Sequence, residues 1–139
     1  MPIPAHPMTG RTVLVTGANR GIGYALVEAA LHRGARRVYP GMRNPVDRPD
    51  GRVLTLPLDV TERAQIEAAA DSIDALDILV NNAGVGTYEE VADRVALESH
   101  LAVNLFGPYD VTLAVLPLLT ASRGAVVNVL SLAGLAALP

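Results

Sequence analysis

The 139-residue sequence contains no cysteine, no tryptophan and no lysine, has a single phenylalanine, and gathers its charges into no block of one sign. Without cysteine there is no disulfide framework, no thiolate zinc or iron–sulfur site and no thiol nucleophile, which suits a reducing compartment, and the cytoplasm is the expected location. No metal site is expected. A net charge of −3 supplies none of the basic footprint that nucleic acid needs, so no nucleic-acid partner is expected. The apolar runs at residues 111–119 and 125–139 are shorter than the roughly 20 residues of a membrane span. They are also broken by Pro117, Asn128, Ser131 and Gly134, so no membrane segment is expected. The opening seven residues hold three prolines and no basic residue, unlike a secretory signal. Residues 1–10 therefore read as a flexible leader and residues 11–139 as one domain. What is present points to a folded core: half of the residues are apolar, too many for a disordered chain.

Strand-like and helix-like segments alternate. Residues 12–16 form a β-branched run that ends at Gly17, and residues 22–33 carry Ile22, Leu26, Ala29, Ala30 and Arg33 at helical spacing. Strands are predicted at 37–42, 53–58, 76–80 and 125–130. Helices are predicted at 62–73, with Thr61 as N-cap, and at 95–121, interrupted at Gly107-Pro108 and at Pro117. Apolar strands separated by helices predict an α/β fold, a doubly wound parallel sheet covered on both faces. Ligands bind such sheets beyond the carboxyl ends of the strands, where strand order reverses.

The unusual polar residues stand at those ends. Thr16-Gly17-Ala18-Asn19-Arg20-Gly21-Ile22-Gly23 joins the first strand to the first helix, the context that a phosphate-binding turn requires. Gly17 can take positive φ in the tight turn, Gly21 lets backbone approach a diphosphate, and Gly23 lets the helix lie close to the sheet. The N–H groups and dipole of the helix start favour an anion there.

The spacing of these glycines resembles that of the short-chain dehydrogenase/reductase family, classical type. Further residues match that family's landmarks in order: Leu58-Asp59-Val60-Thr61, Asn81-Asn82-Ala83-Gly84, Val103-Asn104-Leu105-Phe106-Gly107 and Ser131-Leu132-Ala133-Gly134. The resemblance covers Arg11 to the last residue. It implies a Rossmann-like dinucleotide fold, here its N-terminal portion up to the fifth strand, and an oxidoreductase that moves hydride between a nicotinamide and a small-molecule alcohol or carbonyl substrate.

Rossmann units that bind NAD usually carry an acid near the end of the second strand, whereas an arginine there accommodates the 2′-phosphate of NADP. Here the segment reads Tyr39-Pro40-Gly41-Met42-Arg43, with Met42 where an acid would stand. Arg43 therefore favours NADP(H) over NAD(H), and the resemblance implies the same for Arg20; an ordinary surface arginine is the plainer reading of each. Asp59 is implied to accept a hydrogen bond from the adenine, beside Val60, or it serves as an acid near a helix start. Asn82, Ala83 and Gly84 suit either a structural turn or close passage of the adenosine ribose.

The resemblance implies that Ser131 orients the substrate and that Asn104 belongs to the catalytic set. Pro108 has no N–H, so a helix continuing through it frees the Asn104 carbonyl four residues back, and the family implies a proton-relaying water there. The family's Tyr-x-x-x-Lys element is missing, since no lysine exists in these 139 residues and all four tyrosines precede Ser131. The chain alone is therefore expected to be inactive. Residues 125–130 are expected to form an exposed apolar edge, and the resemblance implies a homo-oligomer formed through residues 97–119. A second reading stays open: a nucleotide-binding or interaction module that has lost the chemistry.

Overall fold

In the computed structural model, which describes residues 7–86 and 93–131, five parallel strands form one sheet in the order β3-β2-β1-β4-β5. The elements run β1 (Thr12–Thr16), α1 (Gly21–His32), β2 (Arg37–Met42), β3 (Leu56–Pro57), α2 (Arg63–Asp71), β4 (Ile78–Asn81), α3 (Arg94–Leu101), a π-helical turn (Ala102–Phe106), α4 (Gly107–Ser122) and β5 (Ala125–Asn128). Strand order reverses between β1 and β4, which pair in register from Val13 opposite Ile78 to Val15 opposite Val80. Alternation along β1 assigns its side chains to two cores. Leu14 joins Leu79, Ile66, Val111, Val115 and Leu119 beneath α2 and α4, while Val13 and Val15 join Val27, Ala30, Val38 and Val80 beneath α1.

Several details depart from the sequence reading. The third strand, predicted over 53–58, is a bridge between Val38 and Val53 followed by the two-residue β3. Pro40 explains the gap. The N–H of Val38 reaches the Arg52 carbonyl and the N–H of Leu54 returns to Val38, so the next donor in the ladder would be residue 40, and proline has none. The buried stripe of α1 is Gly23, Val27, Ala30 and Leu31, one position round from the predicted one. Ile22, Leu26 and Arg33 instead border an apolar hollow of about 470 Å³ on the α1 side of β1, β4 and β5. Thr61 does not cap α2; its hydroxyl donates to Asp59, and Glu62 takes the N-cap position without a side-chain hydrogen bond. Of the predicted leader, Met8 packs against the α1-side core and the Gly10 N–H donates to the Gly34 carbonyl.

The helical run Arg94–Ser122 is continuous over 29 residues, so it is longer than the apolar segments read from sequence and is long and apolar enough, by length and composition, to cross a membrane. Its inward side, Val111, Val115 and Leu119, lies in the domain core. Pro117 does not interrupt α4: its missing N–H falls opposite the carbonyl of Leu113, a residue on the exposed side of the helix. β5 is exposed along its whole length and forms the edge expected of it.

At the opposite end of the sheet from the glycine turn, the Asp77 carboxylate accepts from the Thr12 N–H and hydroxyl, both at 2.8 Å, and from Arg11. Burial alone would raise its pKa, but the Thr12 hydrogen bonds together with Arg11 hold it below the usual carboxylate value. A depressed folded-state pKa gives stability that is present above the unfolded-state value and is lost as pH falls through the folded one. Asp77→Asn is expected to cost about 2 kcal/mol at neutral pH. In denaturant titrations at stepped pH, the gap to wild type should close in acid; a gap independent of pH would contradict the assignment.

Candidate functional site

Beyond the carboxyl ends of β1 and β4 lies a cleft of about 420 Å³. Its floor is the glycine turn. Gly17 and Gly21 have φ of +64° and +55°, values that L side chains rarely adopt. At Gly17 a Cβ would lie 2.8 Å from the Ala83 Cα, whereas at Gly21 it would meet nothing, leaving bare backbone open to the cleft. Gly23 lies under the turn and does not line the cleft: a Cβ there would fall 2.2 Å from the Gly17 carbonyl oxygen. Arg20 is the N-cap of α1, makes no side-chain cap, and no acid occupies the first turn, so the positive end of the helix is uncompensated. Asn19, Arg20 and Ile22 border the opening.

Two side chains that the motif reading left without a defined contact hold this floor to β4. The buried Thr16 hydroxyl accepts from the N–H groups of Asn82 and Ala83, both at 3.0 Å. In return the Asn82 amide donates to the carbonyls of Thr16 and Gly17, both at 3.1 Å. Asn81 is buried beside them and donates to Thr112 on α4 and to Asn128, its register partner on β5. The only local signal for this lattice was a threonine closing a buried strand.

Met42 and Arg43 at the end of β2, with Leu58, Asp59, Val60 and Thr61 after β3, form one wall. One Asp59 carboxylate oxygen accepts from the Thr61 N–H at 2.9 Å and from its hydroxyl at 2.7 Å. The Thr61 backbone hydrogen bond is the main reason that Asp59 is held below the ordinary carboxylate pKa, with Arg43 contributing through its charge. Arg43 thus stands close to an anion already present in the wall.

Ala83, Gly84, Val85 and Val103 complete the cleft. Asn104 does not line it, but its side chain pairs with the backbone of Val85 in both directions, accepting from the N–H at 2.9 Å and donating to the carbonyl at 2.8 Å. This fastens the loop after β4 to the long helix. The backbone around Asn104 is π-helical: the Gly107 N–H bonds to the Ala102 carbonyl, five residues back. Pro108 would collide with the carbonyl four residues earlier in a regular α-helix, and the wider turn relieves that. At five-residue spacing Pro108 stands opposite the Val103 carbonyl, and at four-residue spacing opposite that of Asn104. Ser131 is exposed and lies three residues past β5; Leu132, Ala133 and Gly134 of its motif fall outside the described residues.

The family described as short chain dehydrogenase matches residues 11–139. A short chain dehydrogenase/reductase, dpchH, of Colletotrichum higginsianum is 37% identical over 145 residues, covering 88% of this chain and 36% of that protein. Among solved structures, a short chain dehydrogenase from Burkholderia cenocepacia in complex with NADP is 37% identical with a TM-score of 0.89, over 95% of this chain and 58% of that one. An NADPH-bound carbonyl reductase from chicken fatty liver is 30% identical with a TM-score of 0.82, over 91% of this chain and 61% of that one. The chain therefore spans between 36% and 61% of the length of these relatives.

Proposed function

Because this chain belongs to the short chain dehydrogenase family, we propose that it builds the coenzyme-binding half of an NADP(H)-dependent oxidoreductase acting on an alcohol or carbonyl substrate. The observation that carries the coenzyme reading is the wall at the end of β2, where Arg43 borders the cleft beside Met42, with Arg20 also bordering the cleft. An acid at Met42 would repel a 2′-phosphate; a guanidinium attracts it and can bond it at two points. The NADP and NADPH complexes of the two structural relatives support the same choice.

A dinucleotide fits the donors present. The open turn at Gly17, Asn19, Arg20, Gly21 and Ile22, with Gly23 beneath it, presents backbone N–H groups and an uncompensated helix start to a diphosphate. Asp59 has one carboxylate oxygen engaged by Thr61 and the other available to an adenine amino group beside Val60. Asn82, Ala83 and Gly84 hold backbone against the adenosine ribose.

Bound there, the nicotinamide supplies or accepts the hydride. Ser131 is assigned to orienting the substrate oxygen, and the Asn104 carbonyl to holding a water in the proton path. No lysine occurs in the 139 residues, so this chain alone is not expected to turn over a carbonyl substrate. Leu97, Leu101, Leu105, Leu113 and Leu116 are exposed along the long helix, and we assign self-association to that face and the cytoplasm to the protein.

Titration with NADPH and NADH, followed by fluorescence or calorimetry, tests the reading. NADPH should bind at least about tenfold more tightly, the factor that a charge-assisted hydrogen bond to the extra phosphate carries. Equal affinities would overturn the NADP assignment, and failure to bind either would overturn the coenzyme site.

A further inference from the structure

We propose that Arg48 is a positioning residue for coenzyme selectivity: stacked on Tyr24 and paired with Glu28, it fastens the connection that begins at Arg43 to the outer face of α1. The proposal rests on the NADP reading of Arg43. Tyr24 and Glu28 lie four residues apart and so share one face of α1, the helix whose first turn forms the floor of the cleft. The Arg48 guanidinium stands 5.0 Å from the centre of the Tyr24 ring and donates to the Glu28 carboxylate. Its side chain is only 20% exposed, low for an arginine in a surface connection.

The rest of the connection is held by other contacts, and this one joins it to the first half of α1. Asn44 precedes Pro45 and is thereby biased toward an extended backbone. The Thr55 hydroxyl donates to the Val46 carbonyl at 3.1 Å. At the far end Arg52 donates to the Leu31 carbonyl at 2.9 Å and pairs with Asp50. Arg52 therefore joins the connection to the last turn of α1 and Arg48 joins it to the first half of the same helix.

A dinucleotide whose diphosphate sits at the first turn of α1 has the position of its 2′-phosphate set by that helix. For Arg43 to meet it, the segment leaving β2 must keep a constant distance from α1, and Arg48 supplies that link.

The test compares the ratio of NADH to NADPH dissociation constants in the 139-residue chain and its variants. Arg43→Ala is expected to collapse the ratio. Arg48→Ala and Tyr24→Ala should each lower it about threefold, the size that an exposed cation–π contact carries, with NADH affinity and melting temperature near wild type. Tyr24→Phe keeps the ring and should keep the wild-type ratio. If Arg48→Ala weakens both coenzymes equally, or leaves the ratio intact while Arg43→Ala collapses it, the proposal is overturned and the NADP reading stands. If Arg43→Ala itself leaves the ratio unchanged, the NADP reading falls and the proposal with it.

Discussion

Gly23→Ala is expected to abolish measurable coenzyme binding and to lower stability by about 3 kcal/mol, the upper end of the usual cost of overpacking. The added methyl would sit 2.2 Å from the Gly17 carbonyl oxygen and 2.5 Å from the Asn82 side-chain nitrogen. Neither neighbour can give way. The carbonyl belongs to the turn whose conformation makes the floor, and the Asn82 amide is tied to two carbonyls of that turn. Relief requires the start of α1 to lift from the sheet, which opens the turn and parts it from β4. Gly21→Ala separates shape from strain. Its methyl meets no atom, so the cost there is about 1 kcal/mol from the positive φ, and the fold should survive. Thermal unfolding together with NADPH titration of both variants gives the comparison; a Gly23→Ala protein that binds like wild type would refute the account of the floor.

Thr16→Val is the second large effect, and a purely electrostatic one, because valine has the shape of threonine. The hydroxyl of Thr16, a residue 1% exposed, is the acceptor for two backbone N–H groups that begin the loop after β4. Valine leaves both without a partner in a setting where an unsatisfied N–H costs about 1–3 kcal/mol. A loss of about 3 kcal/mol is expected, read as a lower urea midpoint with an unchanged slope. Thr16→Ser keeps the oxygen and should lose about 1 kcal/mol, the price of a buried methyl group. Equal stability of the serine and valine variants would show that the hydroxyl does not hold the loop.

The parts of the molecule that were legible in the sequence are those governed by local pattern. The β-branched run at residues 12–16, the glycines of the turn and the strand-end residues Arg43, Asp59, Asn82, Ala83 and Gly84 all fall where a parallel sheet places them. Only Gly23, of the residues assigned to coenzyme, lies behind the cleft wall, and its role as a close-packing glycine was the one read for it. What escaped depends on partners far away along the chain. The break in the third strand follows from Pro40, but only once the register with Arg52 and Leu54 decides which amide faces outward. The Thr16 hydroxyl meets a loop 66 residues away, which no window of sequence reveals. Gly107-Pro108 announces a disturbance in the helix, yet whether the turn widens or kinks is decided by the carbonyl that the proline ring would strike, and there it widens. Arg48 looks like any surface arginine until Tyr24 and Glu28 are found beneath it.

The mutual pairing of Asn104 with Val85 has a bearing on how such a protein is made. Apart from those of Asn81 to Thr112 and Asn128, the hydrogen bonds described for the floor and walls of the cleft join residues from Thr16 to Asn104. A ribosome that has released residue 104 has already delivered every group the nucleotide touches in this reading. The core beneath those groups still waits for Val111, Val115 and Leu119 of α4, so the residues of the cleft emerge before the packing that supports them.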